Sequence, residues 1–298
     1  MENNKTSVAL GLFDGVHRGH RAVIETAVND AVQRFLTPAV FTFDPATVGV
    51  KQGNTLEYIY TEEYKEVLIR KMGVDNIVSA DFRDIKDMTG REFAENILIK
   101  RMNAGHVVCG RDFRFGKGAA CGINELLALG NDMGFSVTVA DDVICAGEKV
   151  SSTAIRALLK KGGAEKAAGL LLSPYAVYGE IVHGNHIGNT IGFPTANQNF
   201  APGQLVPAYG VYRSAAMVCG NSYSALTDIG VKPTIQGERL PLSETHFYSG
   251  NADVYGKICT VFLEKFVRPE MKFDGIDSLK AQLQKDLAAA KAADTHRT

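Results

Sequence analysis

Short apolar runs alternate with stretches of helical periodicity through the first part of the chain. Val8-Ala9-Leu10 is too short for a helix and reads as a buried strand. Ala22, Val23, Ala27, Val28, Ala31, Val32 and Phe35 then recur at helical spacing. Ala39–Phe43 reads as a second strand, stopped by Asp44-Pro45, and Glu62–Met72 as a helix closed by Gly73. The alternation continues: strand over Asn76–Ser79, helix over Gly90–Met102 burying Phe93, Ile97 and Leu98, strand over His106–Cys109, helix over Ile123–Met133, strand over Phe135–Ala140. Strands and helices of these lengths predict an α/β fold, a doubly wound parallel sheet covered on both faces. Ligands in such sheets bind beyond the carboxyl ends of the strands.

The pattern changes after one more short helix, Ala164–Leu172. Ser173-Pro174 breaks it, which predicts two domains, residues 1–172 and 173–298. Beyond the break the apolar positions fall in β-rich pieces: Ala176–Val182, Gly210–Val218, Tyr223–Thr227, Thr245–Tyr248 and Lys257–Phe262. Short strands with glycine-rich connections predict a small antiparallel β-barrel. Ile276, Leu279, Leu283 and Leu287 predict a C-terminal amphipathic helix packed on it.

Composition narrows the function classes. With 298 residues, 45% of them hydrophobic and 22% charged, the chain can bury two cores. A net charge of −1 argues against binding nucleic acid as a polyanion, so a nucleotide must be held in a local site. The five cysteines are odd in number and include no Cys-x-x-Cys pair, which predicts reduced, mostly buried thiols. Met1–Lys5 lacks the apolar core of a signal peptide, and no run approaches the roughly 18 apolar residues that span a bilayer. These features predict a cytoplasmic protein without a membrane partner; a homo-oligomer stays open.

Candidate chemistry sits first in Gly11-Leu12-Phe13-Asp14-Gly15-Val16-His17-Arg18-Gly19-His20, between the first strand and the first helix. Such a junction offers free N–H groups and the positive end of a helix dipole, which suits phosphate. Gly11, Gly15 and Gly19 allow close approach to the backbone, and His17 and His20 can donate to phosphate oxygens. A second segment, Gly110-Arg111-Asp112-Phe113-Arg114-Phe115-Gly116-Lys117-Gly118, follows the strand ending at Cys109 and so shares that rim. It is not a P-loop: five residues separate Gly110 from Gly116, and Gly118 stands where Ser or Thr is required. Third, Ser151-Ser152-Thr153-Ala154-Ile155-Arg156 opens a helix with a capping serine, and Arg156 lies one turn in on the face of Ser152.

These three segments, in this order, resemble the bacterial bifunctional riboflavin kinase/FAD synthetase family, whose N-terminal domain is a nucleotidyltransferase. The resemblance implies an ATP site built from Gly11, Phe13, Asp14, Gly15, Gly19, Gly110, Asp112, Phe113, Ser151, Ser152 and Thr153. It implies that His17, His20 and Arg156 stabilise the triphosphate during adenylyl transfer. The chain departs from the family at Ala119–Gly122, where a basic tail is usual, and after Pro45, where a second proline is usual.

In the second domain, Gly184 and Gly188 precede Gly192-Phe193-Pro194-Thr195-Ala196-Asn197. Thr195 and Asn197 are two apart and face the same way if that segment is extended. The run resembles the riboflavin kinase signature of the same family. By that resemblance Thr195 and Asn197 hold Mg²⁺, while Gly184, Gly188, Pro194, Asn197 and Arg268 contribute to the ATP and flavin site. Glu244, in Glu244-Thr245-His246, takes the role of catalytic base. Asp228 stands where the family has Asn.

The resemblance covers about Ser7 to Leu287. It implies an enzyme that phosphorylates riboflavin to FMN and then adenylylates FMN to FAD, with ATP as co-substrate. Two alternatives stand beside it: a monofunctional riboflavin kinase with a weakened adenylyltransferase domain, and a non-catalytic flavin sensor.

Overall fold

The computed structural model describes residues 5–48, 50–51, 54–55, 57–182, 193–233, 239–249 and 254–294. They divide into two units, Met1–Ser152 and Thr153–Thr298.

In chain order the first unit runs β1 (Thr6–Leu10), α1 (Arg18–Arg34), β2 (Thr37–Phe43), α2 (Pro45–Val48), a ribbon of β3 (Val50–Lys51) and β4 (Asn54–Thr55), α3 (Glu62–Arg70), β5 (Asn76–Ala80), α4 (Phe82–Ile85) and α5 (Gly90–Phe93). There follow a π-helix (Ala94–Arg101), β6 (Ala104–Gly110), α6 (Ile123–Met133), β7 (Ser136–Ala140) and a ribbon of β8 (Ile144–Cys145) and β9 (Glu148–Lys149). Five strands form one parallel sheet in the order β5-β2-β1-β6-β7. Val8, Leu10, Ala39, Phe41, Val107 and Cys109 pack on one face with Phe93, Leu98 and Leu126. Ala9, Val40 and Val108 alternate with them and so point to the other face, on which α1 packs through Val23, Ile24, Ala27 and Ala31. Burial on both faces is why the central strands are unbroken apolar runs.

The strand order reverses beside β1: the chain builds outward through β2 and β5, then returns to place β6 on the other flank. Leu10 is in register with Cys109, so the loops that follow β1 and β6 leave the sheet side by side. That is the switch point at which such sheets hold ligands.

Two local features differ from the periodicity reading. The helix expected over Gly90–Met102 begins with a Thr89/Glu92 capping box and then widens, Met102 N–H reaching the Ile97 carbonyl at 2.9 Å. Its buried Ala94, Ile97 and Leu98 fit either winding, so side-chain spacing over so short a stretch does not separate them. At the end of α1, Phe35 takes a left-handed φ of 56° and is 93% exposed, closing the helix instead of extending its apolar face.

The second unit opens with α7 (Ser152–Lys160, whose first residue belongs to the first unit) and α8 (Ala164–Leu171). Six antiparallel strands follow: β10 (Tyr175–Glu180), β11 (Ala196–Asn199), β12 (Gly210–Val218), β13 (Asn221–Pro233), β14 (Arg239–Phe247) and β15 (Ile258–Pro269). Their order is β10-β15-β12-β13-β14-β11, and Val182, just past β10, bridges back to Asn197 on β11. The sheet thereby curls towards closure as a barrel. β11 is a polar strand, Ala-Asn-Gln-Asn, that periodicity marks only as extended; Asn197 and Gln198 are nonetheless buried.

The C-terminal helix (Ile276–Asp294) rests Leu287 and Ala290 against Val211, Leu226 and Tyr248. Ile276, expected on its packed face, is exposed, and the second fully buried position is Asp286. An ion pair with Arg268 explains this burial, as the guanidinium meets the Asp286 carboxylate at 2.7 and 2.9 Å. Of the five cysteines only Cys109 and Cys259 are buried, and burial pushes both thiols up to about 12.

Candidate active sites

The Gly11–His20 loop leaves β1 in a conformation that ordinary residues adopt at a cost. Phe13 and Val16 have φ of 52° and 42°, and Gly15 has φ of 86°. Gly15 also lies against Ile59: a Cβ there would stand 2.8 Å from Ile59 Cδ1. Asp14 is buried, and its Oδ1 accepts a 2.7 Å hydrogen bond from the Ile59 N–H. Its carbonyl accepts a 2.8 Å bond from Ser152 Oγ, so the hydroxyl expected to cap a helix ties the first and third motifs together.

His17 is the N-cap of α1, and its Nδ1 accepts from the His20 N–H at 3.3 Å. That bond leaves Nε2 as the N–H of a neutral ring. The two imidazoles stack at 3.5 Å between centroids, and Phe13 meets His20 edge-on at 5.5 Å. His20 Nδ1 is buried with no hydrogen-bond partner among the described residues. Burial, then His17, then Lys65 hold the His20 imidazole well below the ordinary histidine range. Both rings are therefore neutral imidazoles, each with one N–H to donate.

The second motif is split in its placement. Phe115 is built into the core, pairing with Cys121, and stacks on Phe113 at 5.7 Å. Asp112 is exposed and meets Lys149 at 3.1 Å, two residues after the Gly110 that ends β6. Lys149 also pairs with Asp142 at 2.8 Å. In the third motif, Ser151 and Ser152 belong to the first unit, whereas Thr153 and Arg156 belong to the second, where Arg156 Nη2 reaches Thr153 Oγ1 at 3.3 Å.

Sequence reasoning passed over one residue here. Lys65, on α3, is 1% exposed. Its ammonium donates to Phe43 O at 2.6 Å and Thr42 Oγ1 at 3.2 Å and pairs with Glu62 at 2.8 Å. Burial lowers its pKa, with Glu62 opposing that shift. The available signal was position: Lys65 precedes Leu68 and Ile69 by three and four, which puts a cation on the helix's apolar face.

In the second unit, strand register assembles a different set. Asn197 on β11 lies opposite Glu244 on β14, which lies opposite Asp228 on β13. Directly opposed residues share a face, so the three side chains stand in one row across adjacent strands. The Phe193-Pro194-Thr195 segment is clamped beside them. His246 Nδ1 donates to the Pro194 carbonyl at 3.0 Å, its ring meets Phe193 at 5.0 Å, and the Tyr255 hydroxyl reaches the Thr195 carbonyl at 3.4 Å. The hydroxyl of Thr195 and the amide oxygen of Asn197 are the hard, neutral donors that Mg²⁺ accepts alongside phosphate oxygens, so this pair fits that ion. Arg268 is committed to Asp286 and to the Pro269 carbonyl, with Phe273 at 6.0 Å from its guanidinium. Gly184 and Gly188 lie outside the described residues.

Comparison with known proteins matches each part to a family model: FAD synthetase over residues 1–154 and riboflavin kinase over residues 171–293. A bifunctional riboflavin kinase/FMN adenylyltransferase of Listeria monocytogenes is 36% identical, covering 94% of this chain and 89% of that protein. Its namesake in Bacillus subtilis is 35% identical, over 96% and 91%. A crystal structure titled as a macrolide-efflux protein of Streptococcus pneumoniae is 30% identical and superposes with a TM-score of 0.82, covering 96% and 94%. Among the described residues no helix is long and apolar enough to cross a membrane.

Proposed function

Because the chain belongs to the family of bifunctional riboflavin kinase/FMN adenylyltransferases, we propose that it runs its two ATP-dependent reactions at the two sites just described. Riboflavin becomes FMN at the barrel, and FMN becomes FAD with release of pyrophosphate at the switch point of the parallel sheet. Matches to both family models leave neither the monofunctional kinase nor the sensor favoured.

The observation that carries the assignment of the second reaction is the stacked His17–His20 pair at the end of β1. An FMN phosphate oxygen attacks the α-phosphorus of ATP, and the bond to the β-phosphate oxygen breaks. Negative charge builds on the triphosphate oxygens, where a preorganised neutral N–H donor stabilises it at no cost in reorganisation. Gly11, Gly15 and Gly19 keep the loop close enough for phosphate to reach backbone N–H groups. Phe13, Asp14, Gly110, Asp112, Phe113, Ser151, Ser152 and Thr153 complete this site in our reading, and Arg156 joins it by the family pattern. That assignment goes with a domain boundary at 172/173.

At the barrel the ribityl primary hydroxyl attacks the γ-phosphorus of ATP and loses its proton to Glu244. Thr195 and Asn197 hold Mg²⁺ in this reading, an ion that neutralises phosphate charge when bound. Pro194, Gly184, Gly188 and Arg268 remain assigned to this site by the family pattern. We place both reactions in the cytoplasm, where ATP is supplied and free thiols persist.

The test is product analysis. The protein is incubated with riboflavin, ATP and Mg²⁺, and FMN is resolved from FAD by chromatography. His20→Ala should stop FAD formation and spare FMN formation; Glu244→Ala should do the reverse when FMN is supplied. A folded His20→Ala protein that makes FAD normally, or loses both activities, sinks the two-site assignment.

A further inference from the structure

A charged ammonium with almost no exposure sits beneath the adenylyl-transfer loop and is used by none of the steps above. Lys65 Nζ spends its three N–H groups on the Phe43 carbonyl (2.6 Å), Thr42 Oγ1 (3.2 Å) and the Glu62 carboxylate (2.8 Å). Thr42 is itself fully buried and donates its hydroxyl proton to the Leu12 carbonyl at 2.9 Å. A continuous relay thus runs from α3, through the carboxyl end of β2, to the backbone of the loop carrying His17 and His20. We propose that Lys65 is a positioning residue for adenylyl transfer, fixing the catalytic loop to β2 through Thr42.

Three physical arguments support this. First, burying an ammonium is costly, and a methionine or leucine would fill an apolar helix face more cheaply if packing alone were needed. Second, an ammonium has no acceptor, so while Lys65 donates to Thr42 Oγ1 the hydroxyl proton must turn away from Nζ, and the Leu12 carbonyl is what receives it. Third, Lys65 lies close enough to His20 for its charge to help keep that ring neutral. Loop and ring are thereby held in the state the reaction needs before substrate arrives.

The inference rests on the assignment of the His17–His20 loop to FAD formation, and the experiment separates the two. Lys65→Met, Thr42→Val, Thr42→Ser and His20→Ala are prepared in the full chain. Riboflavin phosphorylation at the barrel serves as the internal control. Lys65→Met is expected to lower kcat for FAD formation about tenfold or more while riboflavin phosphorylation stays unchanged. The acid limb of its pH–rate profile should move to higher pH, because His20 has lost one of the charges that depress it. Thr42→Val should lower kcat similarly, and Thr42→Ser, which keeps the hydroxyl, should restore it. A merely structural lysine would shift the melting temperature and leave kcat, KM and the acid limb of the folded enzyme where they were; that result overturns the proposal. If Lys65→Met does not fold, Thr42→Val decides alone, and a wild-type kcat for FAD formation in that variant overturns the proposal. Normal FAD formation by His20→Ala would instead remove the site assignment beneath it.

Discussion

Gly15→Ala adds one methyl group to the adenylyl-transfer loop, and its cost can be worked out from the structure. Gly15 has φ of +86°, where an L-residue with a Cβ costs about 1–2 kcal/mol. The new Cβ would lie 2.8 Å from Ile59 Cδ1 and 3.4 Å from Ile59 Cγ2. Ile59 is fully buried and its backbone is tied to Asp14, so its Cδ1 can turn aside only against packed neighbours. Relief of such overpacking costs about 1–3 kcal/mol more. The total, about 2–5 kcal/mol, falls on the first unit. Part of the strain should be relieved by displacing the loop, which drags Asp14 and its bond to Ser152. A displacement approaching an ångström is worth about 10²-fold in rate. The assay is FAD formation from supplied FMN and ATP, with riboflavin phosphorylation in the same protein as control and calorimetric melting for stability. A Gly15→Ala enzyme with wild-type FAD formation and an unchanged melting profile would refute the reasoning.

Three further outcomes are expected. His106 is buried with its Nε2 2.8 Å from Asp30, and burial lowers its pKa despite that carboxylate; the unfolded chain therefore takes up its proton first. Its contribution to stability is full above about pH 6.5 and is lost as pH falls below that towards the folded value, so melting curves of wild type and His106→Asn should converge in acid. Asp286→Ala strands the half-enclosed Arg268 guanidinium and should destabilise the second unit by about 3–5 kcal/mol, read as a lower denaturation midpoint. Asn197→Ala should raise the Mg²⁺ concentration needed for riboflavin phosphorylation and leave the Mg²⁺ dependence of FAD formation from FMN unchanged, measured by titrating the metal against initial rates.

Much of this protein is written locally. Apolar runs of three to five residues bounded by Gly, Pro or Asp mark the parallel strands, because a strand buried on both faces has no polar positions to lose. The three motifs, the kinase signature and the family they resemble are likewise matters of residue order. What needed the fold were the partnerships. Ser152 looks like a cap and instead bonds Asp14, 138 positions away. Lys65 falls on the apolar face of its helix, but only the fold shows what meets it there, because a buried position can hold a cation only when acceptors such as Thr42 and Phe43 reach it. The row of Asn197, Glu244 and Asp228 exists only once strand register sets it. Local pattern decides which elements form, since periodicity and turn chemistry act over a few residues. Long-range packing decides which side chains share a site, and it alone sets their charge, through burial and through neighbours that chain order does not reveal.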